Sequence, residues 1–154
     1  MPKIQNVGNY QDCNDQVYAV LQAALNTNEH RYLKAYVYKA IFCKKIKTSK
    51  SRRTLAQIKL LGDVERLISC VDFVIIIDYF FWRENPEKQE ALIFHELCHL
   101  IADDTGKLST VSHDVEEFYA VIQKYGDWKK EIRQFTESAS QFDLFEIDKA
   151  ISKL

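Results

Sequence analysis

Apolar positions divide the chain into elements before any chemistry is considered. Between residues 12 and 26, Val17, Leu21, Ala24 and Leu25 recur at helical spacing, which predicts an amphipathic helix covering the core. Residues 32–43 are rich in aromatic and β-branched side chains. There Tyr36, Tyr38 and Ala40 alternate with Val37, Lys39 and Ile41, the period of a strand. Residues 54–61, Thr-Leu-Ala-Gln-Ile-Lys-Leu-Leu, read as a returning strand, so residues 44–53 fit the loop of a hairpin between them. Gly62 breaks that strand, and Asp63 opens one or two helical turns to Ser69, where its charge suits the positive end of the helix dipole. Residues 71–78, Val-Asp-Phe-Val-Ile-Ile-Ile-Asp, carry the strongest strand signal, and their near-continuous β-branched run implies burial on both faces.

Asn85-Pro86 reads as a cap followed by a first helical position. A helix then extends from about Glu87 to Ala102. Leu92, Ile93, Phe94, Leu97, Leu100 and Ile101 surround it, the pattern of a helix buried in the core. Residues 103–112 are polar, contain Gly106 and read as a loop. A further helix from about residue 112 or 113 to Lys124 places Val115, Phe118 and Ile122 on one face, and Gly126 stops it. Residues 128–154 read as two more helices separated near residues 138–141. No repeat or low-complexity tract is present.

Composition narrows the class. The chain has 154 residues, 47% hydrophobic and 28% charged, which fits one globular domain and excludes intrinsic disorder. Only 4 Gly and 2 Pro disfavour a turn-rich β-sandwich. A net charge of −1 makes the surface as a whole neither strongly basic nor strongly acidic. Cys13, Cys43, Cys70 and Cys98 are scattered without C-x-x-C spacing, the usage of reduced thiols rather than a disulfide framework. The first six residues show no charged-then-apolar leader pattern, and residues 71–82 are too short an apolar run to span a bilayer. The expected location is the cytoplasm, without membrane association.

The candidate chemistry lies inside the oily helix. His95-Glu96-Leu97-Cys98-His99 is H-E-x-x-H. Residues i and i+4 lie almost above one another on a helix, so both imidazoles project from one face and can close on one tetrahedral Zn²⁺. Glu96 stands beside the place of an activated water, where it can take a proton and pass it to a leaving amine. Burying three such groups without a partner costs on the order of several kcal/mol, which argues against a chance match in a core helix. A catalytic zinc takes a third protein ligand and keeps one position open. His113, across the polar loop, is the first choice, with Glu117 one turn further on and Glu116 as alternatives. Asp114 competes for the same role. His30 reads as an exposed residue past the first helix, and Cys98 as a buried apolar thiol.

These residues resemble a known family. Glu90-Ala91-Leu92-Ile93-Phe94-His95-Glu96-Leu97-Cys98-His99, followed by His113-Asp114-Val115-Glu116-Glu117-Phe118 and Tyr125-Gly126-Asp127-Trp128, looks like the Putative phage metallopeptidase family of zincins. The similarity covers about residues 32–130 and extends more distantly to SprT-like metallopeptidases. Against those, the chain has one more residue between His113 and Phe118. The resemblance implies an α+β zincin-like metallopeptidase core in one domain over residues 1–154: a small mixed sheet, an H-E-x-x-H active-site helix and a following ligand-bearing helix. Residues 128–154 would be a helical extension.

Three functions compete. The first is a zinc-dependent metallopeptidase that hydrolyses polypeptides with a metal-activated water. Glu96 is then the general base, His95, His99 and His113 are the ligands, and the strand over residues 54–61 lies nearest the edge that would hold an extended peptide. The second is a catalytically silent binding or regulatory module that keeps a structural zinc. The third adds nucleic acid: six basic residues between Lys44 and Arg53 can contact phosphates, and SprT-like relatives act on DNA-bound proteins, although such a run is commonly a solvated loop tip.

Overall fold

The computed structural model describes residues 6–44, 54–112 and 119–126. The chain divides into two compact units, Met1–Ser112 and His113–Leu154. In the first unit, β1 (Asn6–Val7), β2 (Tyr10–Asp12), β3 (Tyr38–Cys43), β4 (Ala56–Leu60) and β5 (Phe73–Asp78) form one mixed sheet in the order β1-β2-β3-β5-β4. β3 and β5 run parallel, with Tyr38 opposite Phe73 and Cys43 opposite Asp78, and every other neighbouring pair is antiparallel. The helices of this unit are α1 (Asp15–Leu25), α2 (Asp63–Ser69), α3 (Tyr79–Glu84) and α4 (Gln89–Leu97). A second, two-stranded sheet pairs β6 (Leu100–Ala102) with β7 (Leu108–Thr110). In the second unit, α5 (Tyr119–Tyr125) is the described helix, and Gly126 follows it with φ +64°. This is a mixed α+β architecture. Among the described residues, no helix is long and apolar enough to cross a membrane.

Local chemistry explains several of these elements. The Asn14 side chain accepts from Val17 N at 3.2 Å and caps α1, whose buried face is Val17, Leu21, Ala24 and Leu25, as the periodicity predicts. β5 is buried along almost its whole length, from Phe73 through Ile75, Ile76 and Ile77 to Asp78, because it lies between β3 and β4. Asp78 ends the strand and opens α3, its Oδ1 accepting from Phe81 N at 3.0 Å.

Five expectations are corrected. Residues 32–43 and 54–61 do contribute β3 and β4, but the two are not a hairpin, because β5 is inserted between them and takes the hydrogen bonds of both. The strand expected over residues 32–43 begins only at Tyr38, since Arg31–Ala35 form a 3-10 helix. Asn85 does not cap the next helix with its side chain. It ends α3, donating from Nδ2 to Phe81 O, and Pro86–Lys88 form a 3-10 turn ahead of α4. The long helix to Ala102 stops at Leu97, because Leu100 to Ala102 pair with Thr110 to Leu108. The expected loop over residues 103–112 therefore includes β7. The strand pair β1–β2 and helix α3 had no counterpart in the sequence reading.

α4 is the central element of this unit. It lies against α1 and β4, and β7 lies beside β4. A closed polar ring joins three helices: Trp82 Nε1 donates to Gln16 Oε1, Gln16 Nε2 to Gln89 Oε1, and Gln89 Nε2 to the Trp82 carbonyl, each at 2.8 Å. That ring satisfies the polar groups at the buried start of α4 and ties it to α1 and α3. The expected helices over residues 128–154 and the basic run from residue 45 to 53 lie outside the described residues.

Candidate metal centre

Every residue of α4 from Ala91 to Leu97 is buried. His95 is 3% exposed and Glu96 5% exposed, so two ionisable side chains occupy an apolar helix with almost no water around them. Isolated charges there would be costly, which makes a shared charged partner the natural reason for keeping them. The helix tightens as it ends. Cys98 N donates to the Phe94 and His95 carbonyls at 3.2 and 3.1 Å, and His99 N donates to the Glu96 carbonyl at 3.1 Å, a 3-10 closure. His99 thus sits in the turn after the helix and is partly exposed.

Despite that early end, the i, i+4 relation survives. The two imidazole rings lie 5.2 Å apart between centroids, inclined at 71°. One donor atom from each of His95, Glu96 and His99 falls within 4.8 Å of the others. His95 Nε2 and Glu96 Oε1 are 3.9 Å apart, too far for a direct hydrogen bond. Two ligand atoms at about 2.1 Å from a tetrahedral ion stand about 3.4 Å apart, so a bound ion would draw the two imidazoles inward from this spread, with the Glu96 carboxyl beside them.

The hydrogen bond behind His99 fixes which nitrogen can serve. His99 Nδ1 lies 2.8 Å from the Val111 carbonyl. A carbonyl only accepts, so Nδ1 carries a proton, and in a neutral imidazole the lone pair is then on Nε2. Val111 N returns a 2.7 Å bond to the His99 carbonyl, which closes a two-way link between the turn and the strand end after β7. This is how proteins orient a metal-binding imidazole, through its other nitrogen. The donor set therefore fits a divalent ion of borderline softness.

The surroundings of this cluster depart from the sequence reading. His30 is 3% exposed rather than solvated, because its ring packs against the end of α4. Its ring meets Phe94 edge-on at 4.5 Å between centroids, and its Nε2 lies 3.6 Å from Cys98 Sγ. Cys98 is partly exposed, not fully buried, and belongs to this contact rather than to the His95–Glu96–His99 group. Tyr32 donates its hydroxyl to the Leu100 carbonyl. Burial pushes the Tyr32 phenol up, and the neighbouring Cys98 and Tyr36 add to the shift. His113, Asp114, Glu116 and Glu117 lie outside the described residues. The sequence reading missed the Val111 carbonyl, since no side-chain pattern marks a backbone acceptor.

The family model described as "Putative phage metallopeptidase" covers residues 10–139. No curated protein and no solved structure matches the chain.

Proposed function

The chain belongs to that metallopeptidase family, and on this premise we propose that it is a zinc-dependent peptidase. In this reading His95 and His99 hold the ion, Glu96 is the general base, and His113 is the third protein ligand, with Glu117 and Glu116 as alternatives. Membership implies a metal-dependent hydrolase acting on polypeptides. The observation that carries the finer reading is the meeting of three donor atoms within 4.8 Å on and just beyond a helix that is otherwise apolar. The core would then be zincin-like, with α4 as its active-site helix.

A zinc ion bound there supplies Lewis-acid chemistry, polarising a peptide carbonyl and acidifying water. The protein's own groups do the rest. Glu96 keeps a carboxylate beside the His pair in a nearly dry site, where it takes the proton of the attacking water and delivers it to the departing amine. The Val111 carbonyl holds the His99 ring in the tautomer that offers Nε2. Paired imidazoles favour zinc over manganese or magnesium. β4 stands at the margin of the sheet and against α4, and strand addition would hold an extended substrate along the part of its outer edge that β7 does not meet.

The test uses the full chain. Purified protein should carry about one zinc per chain and cleave an unfolded protein substrate. Glu96→Gln should remove about 10²- to 10⁴-fold of the rate while zinc content stays unchanged. Cleavage that survives this substitution overturns the mechanism. A zinc that is retained but closed by four protein ligands, with no cleavage, assigns the chain to the binding-module class instead.

A further inference from the structure

The bond from His99 Nδ1 to the Val111 carbonyl depends on a short hairpin. β6 and β7 are three residues each, and a two-stranded hairpin is marginal on its own. Of the six strand residues only Leu100 is buried; Ile101, Ala102, Ser109 and Thr110 are exposed. The tip is internally stiff. Asp103 Oδ1 accepts from Thr105 N, Thr105 Oγ1 and Lys107 N at 2.9, 2.6 and 2.9 Å, and Gly106 takes φ +84°. Stiffness within the tip does not place it relative to α4.

β7 lies beside β4 and Leu100 is buried, and to these holds residues 30–36 add fastenings at the start of β6 and at the turn. His30 packs on Phe94 and Cys98 at the end of α4. Tyr32 donates to the Leu100 carbonyl, where β6 begins. Tyr36 donates to the Gly106 carbonyl at 2.6 Å, at the far tip. The segment is itself anchored in the main sheet: Val37 N donates to Asp72 Oδ2 at 2.8 Å, and Arg66 holds the other oxygen of Asp72 through Nε at 3.1 Å and a terminal guanidinium nitrogen at 3.0 Å. Two tyrosines four residues apart thus grip both ends of β6 and its turn from a fixed base.

We propose that Tyr32 and Tyr36 are positioning residues for the candidate metal site. By fastening the β6–β7 hairpin they deliver the Val111 carbonyl to His99 and hold the proton on Nδ1. This inference rests on the metal-site reading for its purpose, but the His99 tautomer can be read without any ion. A tyrosine that only stabilised the fold would lower stability without changing which nitrogen is protonated.

The experiment compares the full-length protein with Tyr36→Phe and with the Tyr32→Phe/Tyr36→Phe pair. Two-bond ¹H–¹⁵N correlation on metal-free protein at about pH 8, where an ordinary imidazole is neutral, reports the tautomer. The wild type should show His99 protonated at Nδ1. The double variant should show ¹⁵N shifts averaged toward the other tautomer and zinc affinity weakened roughly 3- to 10-fold, at or below the range seen when a direct outer partner is removed. Tyr36→Phe alone, at a half-buried site, should show a smaller change in the same direction. Tyr18→Phe, which deletes a hydroxyl that accepts from Ala40 N at 3.1 Å, should change neither readout. A double variant with the wild-type tautomer overturns the proposal, whatever happens to affinity, and so does a wild type protonated at Nε2. Absence of zinc binding in the wild type overturns the metal-site reading and leaves the tautomer result to decide the positioning role.

Discussion

Ion binding at His95 and His99 should be measurable as folding free energy. The site is assembled from residues that are separated in the unfolded chain by their solvent shells and aligned only when α4 and the turn after it form. A ligand that binds only the native state adds RT ln(1 + [L]/Kd), about 2.7 kcal/mol at free ion one hundred times the Kd. For a chain of this length each kcal/mol moves the midpoint by roughly 2–4 °C, so saturating zinc should raise Tm by about 5–11 °C. The choice of control follows from burial. His95 is 3% exposed, so His95→Ala opens a cavity and destabilises the metal-free protein as well. His99 is partly exposed and ends a turn, so His99→Ala costs less without metal and removes the response cleanly. The assay is calorimetric unfolding of chelator-stripped protein with and without zinc, for the wild type and His99→Ala. A wild-type midpoint that does not move, or an equal rise in His99→Ala, refutes the assignment of these two imidazoles as ligands.

Two further outcomes test the scaffold. Gln89→Leu leaves the Gln16 amide and the Trp82 carbonyl without their ring partner and should cost about 2–4 kcal/mol in urea unfolding; strict additivity of Gln16→Leu with Gln89→Leu would show that the three bonds do not act as a ring. Hydrogen bonds from the Thr105 side chain and then the Lys107 and Thr105 backbone hold the Asp103 carboxyl below its ordinary 3.8, so the folded form binds its proton less readily than the unfolded one. The stabilisation is therefore present above the unfolded pKa and is lost as pH falls through the lower folded value. The Thr105 and Lys107 amide resonances should titrate with a midpoint under 3.8, and one at or above it contradicts the hairpin turn described here.

Local patterns were legible where the deciding interaction is local. The face of α1 follows from four apolar residues at helical spacing, β5 from an unbroken β-branched run, and α2 from Gly62 and Asp63 at its start. The pairing of His95 with His99 was legible for the same reason: five residues of helix-like backbone bring two rings to 5.2 Å. What was not legible is partnership across the chain. Periodicity identifies β3 and β4 as strands but carries no information that β5 will insert between them. Leu100 and Ile101 continue the apolar pattern of α4, so nothing local ends that helix at Leu97; pairing with β7 does. Yet that unreadable event is what brings the Val111 carbonyl to His99 Nδ1, because the chain turns back through Gly106. The sequence motif thus specifies which donor atoms meet, while a fold contact absent from the motif specifies which nitrogen of His99 faces a carbonyl and carries a proton.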